Sequence, residues 1–546
     1  MSIFLVCSTL VGAFMGYLLV SIFKNYHAAK ALGIPVILSP FDVFHPLWYL
    51  LSPPLKPLVS LIPYRFRRWS SLYTGDWPFH DKRRIHREAG DVFVLVTPWN
   101  YHIVVADPVA AEAIYHRRKD FIKGENYAIF NFFGRSVFSV DGEDWSRQRR
   151  ITAPCFNERV SGLVWDESVR QARAVLKHWT SDDQGEVGSM VDNTRMITLH
   201  VLSAVGFGIR QDFGHGMADV KPGHTLAYRD ALLGLLTHFV YPLVFPRWFL
   251  EMPGLPESSM KTAGTSLREL NSYMDEMLND ERTAIENGEA APSKPNLMSA
   301  LIRSSAEERK SKERLTDDEI KGNLFIFNIA GHDTTANTFA YAISLLALHQ
   351  DCQSWLREEL ERYVHESGST YEEAFPHLHR CQAIMWETLR LYPPVLAAPR
   401  LSHGPQSIPL SNGESISVPP EARLHVNHYG IHISPSVWSS ENAPAHEFHP
   451  QRWIHPSETE PKEETLLHPK PGTFLAWSAG PRSCLGQKFS QVEFVAVIST
   501  LLLKYVVEPA VSRERLEATL AETGAGSPAL TIGRKEDIVL RLRKVG

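Results

Sequence analysis

Trp477-Ser-Ala-Gly-Pro-Arg-Ser-Cys484-Leu-Gly-Gln-Lys-Phe-Ser490 is the stretch on which the reading of this chain turns. Cys484 stands in a loop punctuated by Gly480, Pro481 and Gly486. Phe489, Val492, Phe494, Val495, Val497 and Ile498 follow with a spacing that predicts a helix starting just past the cysteine. A thiol at a helix N-terminus meets exposed N–H groups and partial positive charge, and both favour thiolate. The glycines let the backbone turn and let a flat ligand approach closely. Arg482, two residues before the sulfur, can hold an anionic group beside it. These residues suit a one-thiolate site for a metal cofactor with a charged rim. They also suit a buried structural cysteine in a turn, and by themselves they leave both readings open.

The stretch resembles the haem-binding signature of the cytochrome P450 family, Phe-x-x-Gly-x-Arg-x-Cys-x-Gly, at every fixed position except the first, where Trp477 replaces Phe. The resemblance implies a mainly α fold with small β-sheets and a long central helix crossing the haem. It implies haem b with Cys484 as the axial ligand of the iron, and Arg482 and Gly486 beside it in the cofactor-binding loop.

Thr316-Asp-Asp-Glu319 is a capping-box signature and predicts a helix running to about Leu348. Its centre, Leu324-Phe-Ile-Phe-Asn-Ile-Ala330, is apolar nearly all round, which predicts burial on most sides. Gly331-His-Asp-Thr-Thr335 then interrupts it. Polar groups in a buried helix are costly unless paired, and threonine hydroxyls can pair with the preceding turn. The interruption resembles the family's oxygen-activation motif, Ala/Gly-Gly-x-Asp/Glu-Thr-Thr/Ser. By that resemblance Gly331 and a local distortion open a groove for dioxygen, Thr334 donates a hydrogen bond to the oxygen being activated, and Asp333 relays protons.

Three further motifs acquire meaning from the same resemblance. Trp145 and Arg149 lie four apart, on one helix face, and match a family helix whose Trp and Arg reach a haem propionate. Glu387 and Arg390 share a helix face at i, i+3. Phe448-His-Pro-Gln-Arg-Trp453 resembles Phe-x-Pro-x-Arg-Trp, so Arg452 is expected to join those two in a buried charge triad that fixes the cysteine loop. Arg400 matches a second propionate-contacting position.

The 546 residues are 44% hydrophobic and 21% charged, an ordinary globular composition. A net charge of −5 gives no reason to expect nucleic acid. Five unpatterned cysteines argue against a disulfide framework and for a reducing compartment. Residues 3–23 carry no charge and as a helix are about 31 Å long, enough to cross a bilayer. Lys24, His27 and Lys30 follow, which places the body on the cytosolic side. A cleaved signal peptide is the competing reading.

The expected organisation is a transmembrane signal-anchor helix over 1–24, a proline-rich membrane-surface linker over 25–65, and a haem domain over 66–546. Trp48, Tyr49 and Leu50 in the linker suit a membrane interface. Residues 92–107 read as two strands around Pro98-Trp99-Asn100, and 121–138 as an aromatic loop. Residues 224–253 read as an apolar lid broken by Pro242 and Pro246, 283–313 as a polar surface connector, and 529–542 as a terminal hairpin preceded by a turn over 524–528.

The expectation is therefore a single-pass, monomeric monooxygenase of the endoplasmic reticulum membrane. It would insert one oxygen atom from O2 into a lipophilic small molecule, and analogy with fungal members points to secondary metabolism. Electrons would come from an NADPH-cytochrome reductase docking near Arg147, Arg150 and Lys488. The rivals are a haem-thiolate isomerase or dehydratase that needs no dioxygen, and a non-catalytic membrane haem sensor.

Overall fold

The computed structural model describes the chain apart from residue 1, most of 45–67, 73–74, 182–185, 214–219, 253–255, 257, 289–295, 308–312, 366–367, 442, 456–463, 524–529, 533–537 and 546. The chain divides into two compact units. One comprises Met1–Gly124, Val395–Glu447 and Pro469–Ser483, and the other Glu125–Pro394, Phe448–His468 and Cys484–Gly546.

The first unit is built on a six-stranded sheet. Its strand order is Val36–Leu38, Val92–Val96, Tyr101–Val105, Arg423–Asn427, Ala397–Ser402 and Phe121–Ile122. Val92–Val96 is a continuous apolar run because both faces of the sheet are covered. Val92, Val94 and Val96 enter a core with Ile103, Leu424 and Tyr115, while Phe93 and Leu95 enter a second core with Leu72, Trp77 and Ile85.

Several expectations for the N-terminal region change here. The N-terminal helix runs over Ser2–Lys30, past residue 24, and its last third packs on the sheet. Ala29 is buried in the first core, with Ile22 and Tyr26 against it. The Ser21 hydroxyl donates to the Pro98 carbonyl, and Asn25 Nδ2 donates to the Thr97 carbonyl at 3.0 Å. The stretch read as a surface linker supplies a strand, since Val36–Leu38 pairs in parallel with Val94–Val96. Asp42 is buried 3.3 Å from His102 Nε2. Trp48 is buried and stacks on Phe41 at 4.4 Å, so it is core rather than an interfacial anchor. Tyr49 and Leu50 lie outside the described residues.

The second unit is mostly helical. Its central helix, Asp317–Leu348, opens with the predicted capping box: Thr316 accepts from the Glu319 N–H, and Glu319 accepts from the Thr316 N–H. A box of this kind stabilises a helix by about 1 kcal/mol. Around the central helix lie the Trp145 helix (Gly142–Thr152), a long helix over Glu158–Trp179, the Arg195 helix (Met190–Phe207), the Glu387 helix (His379–Leu391) and the Cys-loop helix (Gln487–Leu502).

The lid region forms three short helices, Tyr228–Thr237, Val240–Val244 and Arg247–Leu250, before the long helix Ser259–Glu286. Pro246 stands at the N-cap of the third, where its lack of an N–H does no harm. The aromatic loop ends on a close backbone contact. Gly134 has φ +138°, and a Cβ there would lie 1.9 Å from the Asp318 carbonyl oxygen; one on Gly322 would lie 2.5 Å from the Gly134 oxygen.

The connector expected over 283–313 contains a helix, Leu297–Glu307, which buries Leu297, Met298, Leu301 and Ile302. Those four positions fall on one helical face, so local spacing outweighs the polar composition around them. At the C-terminus, Leu540–Lys544 pairs antiparallel with Tyr505–Pro509 instead of forming a terminal hairpin. The turn expected over 524–528 lies outside the described residues.

Candidate active site

Cys484 lies in the second unit, three residues before the helix Gln487–Leu502. Its side chain is exposed by area, although protein packs densely around it. Burial pushes the Cys484 thiol above its ordinary pKa. The Gly486 N–H and the Arg149 guanidinium pull it down without cancelling that rise. This corrects the expectation that the helix terminus alone favours thiolate: desolvation wins, and a coordinated cation would be needed to remove the proton.

Leu485, next to the sulfur, packs in one cluster with Trp145, Val137, Val140 and Phe327. That cluster brings together the cysteine loop, the Trp145 helix and the central helix. Trp145 is buried within it. Arg149, one turn on, loses solvation, and its charged form is favoured by Cys484. Arg147 faces elsewhere. It donates to both oxygens of Glu319 and to the Arg314 carbonyl, and it is only 18% exposed. Gln148 also donates to Glu319, and Asn323 donates to Gln148 Oε1 at 2.9 Å. Arg147 therefore ties two helices together. Arg150 remains largely exposed, near Glu313. Lys488 lies over the Phe375 ring at 4.3 Å.

From Gly322 to Leu348 the central helix is buried or half-buried at every residue except Ala330, which is exposed. The expected distortion is not seen, since the helix is continuous through Gly331–Thr335. A Cβ on Gly331 would make ordinary contact with Leu202 at 3.5 Å. The Thr334 hydroxyl donates back to the Ala330 carbonyl at 2.6 Å. Asp333 is held by Arg195, whose Nε and Nη2 both donate to Oδ1, at 3.2 and 3.1 Å. Arg195 was not anticipated. The only signal was a lone arginine on a largely apolar helix. His332 is buried, and that burial pulls its pKa down to about 4, with Asp333 opposing and Arg195 adding to the shift.

The three triad residues meet. Glu387 and Arg390 have no exposed side-chain surface. Arg390 donates to both Glu387 oxygens, at 2.8 and 2.9 Å. Arg452 Nε, the His449 N–H and Trp453 Nε1 donate to the same carboxylate at 3.0, 2.9 and 2.9 Å. Burial raises the Glu387 pKa, but Arg390 and Arg452 outweigh it, and the net shift is downward.

Arg400 and Arg482 belong to the first unit, as does Trp477, which packs edge-on to Phe474 at 5.8 Å. Arg400 is buried over the Tyr115 ring at 4.7 Å. His428 lies 3.1 Å from the Val395 carbonyl through Nδ1, so that nitrogen donates; Nε2 then accepts from the Tyr115 hydroxyl at 2.5 Å. The sequence reading missed both Tyr115 and His428. Gly480 is the glycine this loop requires: its φ is +65°, and a Cβ there would lie 2.6 Å from the Tyr115 carbonyl oxygen. Gly486 carries no such demand, because a Cβ there would lie 3.9 Å from the Cys484 sulfur.

The profile of the family described as Cytochrome P450 matches residues 67–529. The chain belongs to the cytochrome P450 family. A cytochrome P450 monooxygenase of Penicillium roqueforti is 32% identical over 90% of this chain and 89% of its own length. A phomenoic acid biosynthesis cluster cytochrome P450 monooxygenase of Leptosphaeria maculans is 30% identical over 92% and 91%. Among solved structures, a cytochrome P450 haem domain superposes with TM-score 0.67 at 20% identity, covering 94% of this chain and 98% of that one, which supports the fold. The protein is thus a P450 monooxygenase, an enzyme of a family that carries haem iron and uses O2.

The residues present fit a haem. The accessible Cys484 sulfur and the helix that carries exposed Ala330 and half-buried Gly331, Asp333 and Thr334 are joined through the Trp145–Phe327–Leu485 cluster. An arginine beside the sulfur can meet negative charge.

Proposed function

We propose that this P450 hydroxylates, or otherwise oxidises by one oxygen atom, a lipophilic small molecule. The balance is R–H + O2 + NADPH + H+ → R–OH + H2O + NADP+, with the electrons relayed by a membrane-bound NADPH reductase. The observation that carries the reading is exposed Ala330 followed by half-buried Asp333 and Thr334, an acid and a hydroxyl, in the same unit as the accessible Cys484 sulfur. When bound through that sulfur, haem supplies electron-rich iron for O–O cleavage.

In this reading Cys484 would ligate the haem iron through its sulfur, Trp145, Arg149, Arg400 and Arg482 would hold the haem's carboxylates, and Gly331 and Gly486 would lie against the cofactor. Thr334 passes a proton inward. Its hydroxyl hydrogen rests on the Ala330 carbonyl, so its lone pairs are free to accept a proton before that hydrogen is given up. Asp333 brings protons from the Arg195 side and must leave Arg195 to do so. The aromatic loop favours a greasy substrate: Phe130 and Phe132 pack against Phe239 of the lid region, and Phe132 and Phe133 against Phe325 of the central helix. The N-terminal helix anchors the enzyme in the endoplasmic reticulum membrane, with the catalytic body in the cytosol and one copy sufficient for activity. The Leptosphaeria relative's cluster name supports a place in secondary metabolism.

The test is reconstitution of the full chain with an NADPH reductase, after a spectral binding screen of terpenoids, polyketides, fatty acids and alkaloids. A product that needs both O2 and NADPH is expected. A product formed without either supports the isomerase reading. Absence of the thiolate-type Soret band on reduction under carbon monoxide removes the haem assignment altogether.

A further inference from the structure

A cleft of about 400 Å³ opens in the second unit, where the Arg195 helix ends, the lid region begins and the helix Ser259–Glu286 passes. That volume falls within the range of small-molecule sites. None of its lining residues belongs to the cysteine loop or to the central helix. Phe207, Tyr228, Tyr273 and Met277 form its apolar wall, and all four are buried.

The wall is held in place from behind. Phe207 and Tyr228 have ring centroids 5.7 Å apart, and Tyr228 meets Tyr273 edge-on at 5.8 Å. His224 stacks on Tyr273 at 3.7 Å, with Nδ1 3.0 Å from Glu269 and Nε2 2.8 Å from Glu276. The Tyr273 hydroxyl donates to the Leu226 carbonyl at 2.9 Å. Rings fixed in this way cost a ligand little ordering when it binds.

The charged residues of the lining are Lys221, Asp280 and Glu281. Lys221 lies 3.8 Å from Glu276, and Glu281 accepts from the Ser299 hydroxyl at 2.6 Å and from Arg303 Nε at 2.8 Å. Asp280 is exposed, and its carboxylate makes no ion pair or side-chain hydrogen bond among the described residues. Aromatic rings beside an uncommitted carboxylate suit a cation carried on an apolar body.

Tyr228 links the cleft to the interior. It is the first residue of the lid helix Tyr228–Thr237, and its hydroxyl donates at 3.1 Å to Oδ1 of Asn328, on the central helix. Asn328 stands two residues before Ala330, and its Nδ2 donates to the Leu324 carbonyl at 2.9 Å. A ligand resting on the Tyr228 ring therefore bears on the lid helix and the central helix together.

We propose that this cleft binds a hydrophobic ammonium compound, an apolar ring system with one cationic nitrogen, and that its occupancy braces the lid helix against the central helix through Tyr228 and Asn328.

The test uses full-length holoprotein in phosphatidylcholine nanodiscs, with empty discs as the blank. The probe is (1-naphthylmethyl)trimethylammonium, whose quaternary nitrogen has no lone pair to give to haem iron. Equilibrium dialysis should show one saturable site, with 1-naphthylacetate binding on the order of tenfold more weakly because of its opposite charge. Asp280→Asn should weaken the probe roughly fivefold, the effect of one exposed ion pair, and Met277→Trp should abolish binding by filling the cleft. Amide exchange over Tyr228–Thr237 should slow by about tenfold at a probe concentration ten times its Kd. Binding that both variants leave unchanged places the probe elsewhere and overturns the site. Equal affinity for the cation and the anion overturns the ligand class. Binding without slower exchange in the lid helix overturns the brace. A carbon monoxide Soret band retained in each variant shows that the body is folded.

Discussion

Glu387 and Asp333 are both carboxylates paired with arginine on helices of the second unit, but they are held differently. Glu387 has no exposed side-chain surface and accepts from Arg390, Arg452, Trp453 and the His449 backbone, so both oxygens are committed. Asp333 is 23% exposed, and its carboxylate accepts from Arg195 through a single oxygen, with the arginine itself 30% exposed. One carboxylate is built to stay and the other to let go. A charge sealed among several donors fixes backbone; a charge held on one oxygen beside solvent exchanges partners at small cost.

The hardest blow to that contrast would be a mild Glu387→Ala. Removing Glu387 takes the shared carboxylate from buried Arg390 and half-buried Arg452, so a loss of about 3–5 kcal/mol is expected, read from the urea midpoint and from the yield of carbon monoxide-binding protein. A loss below about 1 kcal/mol, the range of exposed pairs, would make the two carboxylates equivalent. The pH signs agree with sealing. The Glu387 contribution is present above its unfolded pKa near 4.5 and is lost only as pH falls through its lowered folded value.

His332 draws the boundary between sealed and open within a single helix turn. Its folded pKa of about 4 lies below the unfolded 6.5, so between those values the unfolded chain binds the extra proton. Stability should fall as pH drops from 6.5 towards 4, and His332→Gln should flatten that fall by up to roughly 3 kcal/mol. A slope unchanged by the substitution would show that the ring is not buried neutral.

Asp333→Asn should lower product formation on the order of 10²-fold while leaving the urea midpoint in place. A large drop in stability would make Asp333 a structural residue. Arg195→Gln is the smallest change: below about 1 kcal/mol in stability, with altered partitioning of NADPH electrons between product and peroxide. Unchanged partitioning would mean that Arg195 does not restrain the acid.

What could be read from the residues divides along the same line. The capping box at Thr316, the helix after Cys484 and the paired strands around Pro98 are set by nearby residues, and spacing exposes them. Glu387, Arg390 and Arg452 could be grouped only through a family pattern, because Arg452 lies 62 positions after Arg390 and no local rule links them. Arg195 carries no pattern at all; its partner is chosen by how two helices pack. The protonation of Cys484 was misjudged for a related reason. A helix terminus is visible in sequence, whereas the protein packed around the sulfur is not. The strand at Leu540–Lys544 chose Tyr505–Pro509 over its sequence neighbour, a choice made by the sheet.

The abutment of Gly134 on Gly322 bears on how new substrates are acquired. With the chain nailed to the central helix at that point, Phe130, Phe132 and Phe133 can be exchanged like tool bits in a fixed chuck. Evolution, or an engineer, can exchange these rings one at a time without redrawing the backbone, provided neither glycine is touched.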